Sequence, residues 1–382
     1  MAHRTRAVRH RVARILLLLG VTLLGVAGVA QAAGGQVVVL TANGVVDDAL
    51  AGYLEGGVSA AAADGAEAVV VQLDTPGGSL DATNRIRKAF LASTAPVIVW
   101  VAPSGARAAS AGTFITLAAN LAYMAPGTNI GAATPVGSGG EDITGTMGEK
   151  VLNDAIAAIS ATAEARGRPV DWAVSTVADA RSYTATEAVA AGAVDGIAET
   201  LDQVLAAADG QEVTVAGGTA VTLDLAGAAV TEAPMGPLLG FLHLLSDPNI
   251  AFLLFLIGAL GLATELFNTN LVTGILGAFA LLLAFIGFGS LPLNLGGLLL
   301  LAFGFGLFVL ESQIVSHGLL ALGGIVCLAL GAAALYTAPM TPTAPLVAVA
   351  PPVILVATAT IGGLMGLIVV AAVRTRRMRA TT

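Results

Sequence analysis

Ser110 and Lys150 are the two side chains of this 382-residue chain whose types and spacing best suit joint chemistry. Serine is a weak nucleophile until a base takes its proton. The usual base, histidine, is absent where it is needed: His3 and His10 lie near the N-terminus, and His243 and His317 lie at or within an apolar C-terminal half. A neutral lysine can replace it, whereas arginine cannot usefully lose its proton. Only Lys88 and Lys150 are lysines among 17 basic residues. Lys150 opens a predicted helix carrying Val151, Leu152, Ile156 and Ile159, which could desolvate it. Ser110 stands at the start of the apolar run Ala111–Ala119. There the Ala111 N–H and the helix dipole would favour negative charge beside its oxygen. Gly77 and Gly78 follow Asp74-Thr75-Pro76, and a Gly N–H can approach a developing oxyanion closely. Gly77, Gly78 and Ala111 are therefore the candidate oxyanion hole. Each residue also has a plainer reading: Ser110 as a helix N-cap, Gly77-Gly78 as a strand–helix turn, Lys150 as a surface partner of Glu149. Ser79, Ser104 and Ser138 are rival nucleophiles, but none opens an apolar helix after a buried strand. Asp74 reads as a strand-end cap or turn residue.

The elements that must position these residues alternate strand and helix. Strands are expected at Gln36–Thr41, Ala68–Leu73, Val97–Val101, Leu121–Ala125 and Val194–Ile197, the second and third as continuous apolar runs suited to buried parallel strands. Helices are expected at Asp47–Ala63, Leu80–Ala92, Ala111–Ala119, Lys150–Arg166 and Thr186–Ala191, and Pro135–Gly148 reads as a loop. The alternation implies an α/β domain with mainly parallel strands. Both glycine turns then follow successive strands and lie side by side at their carboxyl ends, where sites form.

Charge divides the chain. Residues 33–233 hold 22 acidic and 8 basic side chains, whereas residues 234–373 hold only Asp247, Glu265 and Glu311. The first part is a soluble acidic domain, which argues against nucleic-acid binding. The second reads as a membrane domain of about five helices, at Ile250–Phe267, Val272–Ser290, Leu295–Leu310, Gly318–Tyr336 and Val349–Val373. Leu238–Leu245 suggests a short interfacial helix, in which His243 is given no chemical role. Glu265 and Glu311 fall at helix ends and read as turn residues. Residues 1–32 have the basic start, apolar core and Ala30-Gln31-Ala32 end of a signal peptide, with an uncleaved anchor as the alternative. Either places residues 33–233 outside the cytoplasm. Five crossings then leave the arginine-rich tail 374–382 inside, as the positive-inside tendency prefers. Cys327 is the only cysteine, so no intrachain disulfide forms, and no Cys/His metal cluster or complete phosphate loop occurs. No cofactor is expected.

Leu73-Asp74-Thr75-Pro76-Gly77-Gly78, Ala108-Ala109-Ser110-Ala111-Gly112-Thr113 and Met124-Ala125-Pro126-Gly127-Thr128-Asn129-Ile130-Gly131-Ala132 occur in this order. In these segments the sequence resembles the NfeD family of membrane-bound, ClpP-class serine proteases, in its long form. The resemblance covers roughly residues 36–205 closely. It implies Ser110 as nucleophile, Lys150 as its base and Gly77-Gly78 as oxyanion hole. It further implies a ClpP/crotonase-like fold, homo-oligomers, ATP-independent cleavage of apolar peptide segments and a stomatin-like membrane partner. Long members usually carry a small OB-like domain after the spans. The present sequence ends nine residues past its last apolar run and is expected to lack it.

Three functions compete on these residues. The first is a membrane-anchored Ser-Lys endopeptidase. The second is a catalytically silent scaffold that binds a stomatin-like partner. The third is a crotonase-type acyl-CoA enzyme, disfavoured by the acidic exported domain and its separation from cytoplasmic CoA. Signal peptide peptidase A shares the dyad logic, but the five C-terminal spans favour the NfeD resemblance.

Overall fold

The structure, a computed structural model, describes residues 35–137, 141–267, 271–314, 316, 318–336 and 347–379. The signal segment 1–32, Ser138, His317 and the turn beginning at Thr337 lie outside the described residues.

The chain from Gly35 onward opens with β1 (Gln36–Asn43), α1 (Asp48–Ala63), β2 (Ala68–Asp74), α2 (Leu80–Leu91) and β3 (Val97–Val101). It continues through β4 (Arg107–Ala109), α3 (Ala111–Ala118), β5 (Leu121–Met124), β6 (Asn129–Gly131), α4 (Gly145–Ala165) and α5 (Val170–Ala178). Then come β7 (Ser182–Thr184), α6 (Ala185–Ala190), β8 (Gly196–Ile197), α7 (Leu201–Ala208), β9 (Glu212–Val215), β10 (Thr219–Thr222) and β11 (Ala229–Glu232).

Six of these strands form one parallel sheet in the order β11-β1-β2-β3-β5-β8. Its central strands are apolar on both faces because both faces are covered. Val69, Val71 and Leu73 of β2 and Val97, Val99 and Val101 of β3 point into one core, with Leu50, Ile86, Phe114 and Ile159. The alternate residues Val70, Ile98, Trp100 and Tyr123 point into a second core, with Val204 and Leu223. A smaller sheet, β4-β6-β7, lies beyond the carboxyl ends of β2 and β3 and is tied to them by a bridge between Thr75 and Ala108.

Arg168 locks the far edge. It is buried, pairs with Asp195 at 3.0 Å and donates to the Ala193 carbonyl at 2.7 Å. Asp195 also accepts the Ala122 N–H. Asp195→Ala leaves the guanidinium buried without its counter-charge. An unfolding titration of the detergent-solubilised chain is expected to lose about 2–3 kcal/mol, Asp195 being itself partly exposed.

Helix α8 (Pro237–Leu245) follows, then α9 (Pro248–Phe267), α10 (Val272–Phe288), α11 (Leu295–Gln313), α12 (Leu319–Ala334) and α13 (Pro351–Arg379). Helices α9 to α13, among the described residues, are thus apolar helices at the five expected places. Among the described residues, Pro248–Glu265 is the one stretch long and apolar enough by itself to cross a bilayer; the other four helices carry shorter apolar stretches. Outward-facing side chains include Ile275, Leu282, Phe303, Leu322 and Leu355, as a lipid solvent would allow. Close approach comes from small residues, with Gly258 and Gly261 against Gly277, and Gly297 against Ala334. Cys327 packs beside Gly304. Glu265 accepts the Leu271 and Gly274 N–H groups, and Glu311 those of Gly318, Leu320 and Ala321. Each carboxylate therefore caps the start of the next helix, consistent with their reading as turn residues. Helix α13 continues through Arg374–Arg379, so the arginines of the expected tail 374–382 extend the last apolar helix.

Candidate active site

Two loops meet at the carboxyl edge of β2 and β3. The expected side-by-side placement holds, but the second loop is not a simple turn, because β4 lies between β3 and α3. Asp74 organises the join: its Oδ1 accepts the Arg107 N–H at 3.0 Å, while Thr75 N–H donates to the Arg107 carbonyl at 2.8 Å. Asp74, expected as a strand-end cap or turn residue, thus ties the end of β2 to the start of β4.

Ser110 sits at the start of α3 with φ 52° and ψ −111°, a backbone conformation rare for residues other than glycine. Its side chain makes no capping hydrogen bond, so the N-cap reading does not account for it. The strain, of order 1–3 kcal/mol for such a residue, is held by neighbours. Ser110 N–H donates to the Gly131 carbonyl at 2.9 Å, and Thr113 Oγ1 donates to the carbonyls of Ala108 (3.0 Å) and Gly131 (3.2 Å). The first N–H groups of α3, including that of Ala111, have no intrahelical acceptor by the geometry of a helix start.

Gly77 faces this serine. A Cβ built on Gly77, whose φ is +117°, would lie 2.8 Å from Ser110 Cβ and 3.2 Å from its Oγ. Thr75 Oγ1 accepts the Gly77 N–H at 3.1 Å, so that donor is already engaged. Gly78 packs flat on the backbone of Val46, where a Cβ would lie 2.6 Å from the Val46 nitrogen. The Val46 N–H donates to the Gly77 carbonyl at 2.9 Å and the Ser79 N–H to the Val46 carbonyl at 2.8 Å. Ser79 caps α2 through the Ala82 N–H, and Ser104 lies exposed in the preceding turn.

Lys150 does not open its helix. Helix α4 begins at Gly145, within the segment expected to be loop, which places Lys150 in its second turn. It is exposed and lines a pocket of about 350 Å³ with Leu80, Asn84, Phe114 and Asp154. Phe114 lies one turn beyond Ser110 on α3, so the pocket adjoins the serine's face of that helix. Ser110 and Lys150 form no hydrogen bond with each other, and Lys150 forms no ion pair with Glu149 among the described residues.

Sequence reasoning missed Thr75 and Thr113, the two buried hydroxyls that hold the loops. Their place inside the two glycine motifs was the available signal. It also left His243 without a role. His243 Nδ1 lies 3.0 Å from Asp47 Oδ2, and its Nε2 lies 2.7 Å from the Asn43 carbonyl. With His243 196 positions after Asp47, no local pattern could announce the pair.

The comparisons with known proteins agree with this architecture. The NfeD1b N-terminal domain family matches residues 36–218, and the NfeD integral membrane domain family matches residues 249–371. The membrane-bound protease PH1510 of Pyrococcus horikoshii is 33% identical over 284 residues, 73% of this chain and 64% of that protein. The chain therefore spans just under two thirds of that relative's length. The membrane protein NfeD1b of Bacillus subtilis is 29% identical over 342 residues, 84% of this chain and 73% of that protein. A serine-to-alanine variant of the 1510-N membrane-bound stomatin-specific protease, of known structure, is 32% identical with a TM-score of 0.50; the match covers 53% of this chain and 99% of that one. With an α/β domain and, after it, a helical membrane domain, each matched in sequence by an NfeD family model, the chain belongs to the NfeD family.

Proposed function

We propose that the protein is a membrane-anchored serine endopeptidase in which Ser110 is the nucleophile and Lys150 the general base. The observation that carries this reading is the backbone of Ser110. It is strained, its hydroxyl caps nothing, and a glycine without room for a Cβ stands against it. In the reaction, Lys150 Nζ takes the Ser110 proton as Oγ attacks the scissile carbonyl carbon. The N–H groups of Gly78 and Ala111 stabilise the oxyanion, and Gly77 leaves room for it. Lys150 then protonates the departing amine, leaving an ester on Ser110. Water gives its proton to Lys150 and attacks that ester; the Ser110 Oγ–carbon bond breaks, Lys150 returns the proton to Oγ and the peptide acid leaves.

The substrate class follows from the lining of the Lys150 pocket. Leu80, Phe114, Val151 and Ala155 supply its apolar lining, beside the polar Asp81, Asn84 and Asp154. An apolar peptide lying there excludes water from Lys150, and desolvation favours the neutral amine that acts as base. This explains how an exposed lysine serves the reaction. By analogy with the stomatin-specific relative, the natural substrate is a stomatin-like membrane protein, and no ATP is used. We further propose domain limits of 33–233 for the protease and 234–373 for five spans. The protease domain is extracytoplasmic after signal peptide 1–32, the C-terminal arginines are cytoplasmic, and the protein works as a homo-oligomer.

That Ser110 and Lys150 share no hydrogen bond favours one alternative, a silent scaffold that binds the stomatin-like partner. Cleavage of an apolar peptide library by the full-length protein in detergent separates the two. The peptidase reading expects products cut beside apolar residues; a library left intact at high enzyme concentration supports the scaffold.

A further inference from the structure

The loop that supports the proposed oxyanion turn is clamped from the membrane side. It runs from Asn43 to Asp47, and His243 of α8 holds both ends through the Asn43 carbonyl and the Asp47 carboxylate. Helix α8 leads through Ser246 and Asp247 into α9, the first apolar helix of the membrane domain. Inside the clamp, Gly44 N–H donates to the Asp74 carbonyl at 2.9 Å, and Val46 pairs with Gly77 and Ser79 as described. The plane of the Gly78 peptide is therefore set by Val46, and Val46 by a loop whose two ends His243 fixes. The ring lines a cleft of about 590 Å³ together with Asn43, Asp74, Arg107 and Pro76, the last residue before the turn.

We infer that His243 is a positioning residue for the peptidase reaction: its bridge from α8 to Asn43 and Asp47 fixes the Gly77-Gly78 turn, coupling the membrane domain to the oxyanion hole. The inference rests on the peptidase reading for its kinetic consequence but not for its structural one.

The geometry also dictates when the bridge is whole. Both partners of the ring are acceptors, and a neutral imidazole carries one N–H. Both bonds form at once only with the imidazolium facing the carboxylate. Burial opposes that charge, but the hydrogen bond and charge of Asp47, the Asn43 carbonyl and the charge of Asp247 outweigh it and raise the His243 pKa above its ordinary value. Burial likewise opposes ionisation of Asp47, yet the hydrogen bonds of His243, Ser246 and the Leu50 N–H hold its carboxyl below the usual range. Asp74 and Arg107 are the other charged groups bordering the cleft. The raised imidazole contributes stabilisation that is lost as pH rises through its folded pKa. The depressed carboxylate contributes stabilisation that is lost as pH falls through its own. The bridge thus holds between the two titrations and loosens as pH rises through that of His243.

The test uses the full-length protein in detergent, with wild type, His243→Ala and His243→Gln, which keeps one donor. Amide hydrogen exchange at residues 43–47 and 77–79, corrected for intrinsic pH dependence, is expected to be about ten-fold faster in His243→Ala than in wild type, with His243→Gln between them. In wild type the same amides are expected to speed up as pH rises through the His243 titration, a response absent from both variants. On apolar peptides, kcat falls about ten-fold in His243→Ala with KM unchanged and is partly restored in His243→Gln. Unchanged exchange at these amides, in the variants or across the wild-type titration, overturns the inference whether or not peptides are cleaved. A kcat in His243→Ala equal to wild type, in an enzyme that Ser110→Ala silences, overturns the coupling while leaving the peptidase reading intact.

Discussion

Ser110→Ala and Lys150→Ala are each expected to lower kcat on apolar peptides by about a thousand-fold or more, and Lys150→Arg is expected to restore nothing. The arginine variant gives the experiment its force. If position 150 contributed only positive charge, to hold Glu149 or to attract an acidic segment, arginine would serve. A base must lose its proton, and arginine does not. Small primary amines added to Lys150→Ala are expected to recover part of the rate, because the pocket beside Phe114 and Leu80 then has space for a substitute base. KM is expected to change little in any of these variants, since the lost interactions belong to the transition state. An active Lys150→Arg enzyme would remove the lysine from the mechanism.

Gly77→Ala and Gly78→Ala are the next most severe changes, for two different reasons. At Gly77, φ of +117° already excludes an ordinary L-residue, and the new methyl group would press on Ser110 Cβ at 2.8 Å. The nucleophile itself is displaced. At Gly78 the methyl group meets the Val46 backbone, which cannot swing aside as a side chain can, so the turn must move and take its N–H with it. Losing one oxyanion donor typically costs about 100- to 1000-fold in kcat, the loss expected of Gly78→Ala, and Gly77→Ala is expected to lose at least as much through the displaced serine. Both also strain the fold by about 1–3 kcal/mol, read as a lower thermal midpoint. Ser79→Ala supplies the contrast. Its side chain only caps α2, so about 1 kcal/mol of stability goes while kcat stays near wild type. Near-normal turnover in Gly78→Ala would dismiss this turn as the oxyanion hole.

The framework was legible in the sequence where burial is complete. β2 and β3 are Val-rich because both faces of the sheet are covered, and so short an apolar run between turn residues suits a buried strand. The membrane helices stand out for a related reason, as long stretches with almost no charge. The short sheet β4-β6-β7 stayed hidden because three-residue strands carry no period to detect, yet it is this sheet that aims Ser110. Helix α4 was expected five residues late because Gly145 and Gly148 are poor helix formers. The segment just before the helix lies against it instead, with Gly148 set against the Ile143 carbonyl, where a side chain has no room. Residue types at Ser110, Lys150 and Gly77-Gly78 pointed to one chemistry before any geometry was known. The engaged Gly77 N–H, the threonine ligatures and the His243 bridge depend on contacts between distant segments, which no local pattern encodes.

If Ser110 is the nucleophile, it must carry the acyl group during turnover. The most direct measurement mixes full-length protein with an apolar peptide ester, quenches within the first turnover and maps the modified residue by mass spectrometry. An ester bond on Ser110, missing from Ser110→Ala and from Lys150→Ala, is the predicted result. Hydrolysis of the ester with the acyl group on another residue, or with none on Ser110 at any time, would contradict it.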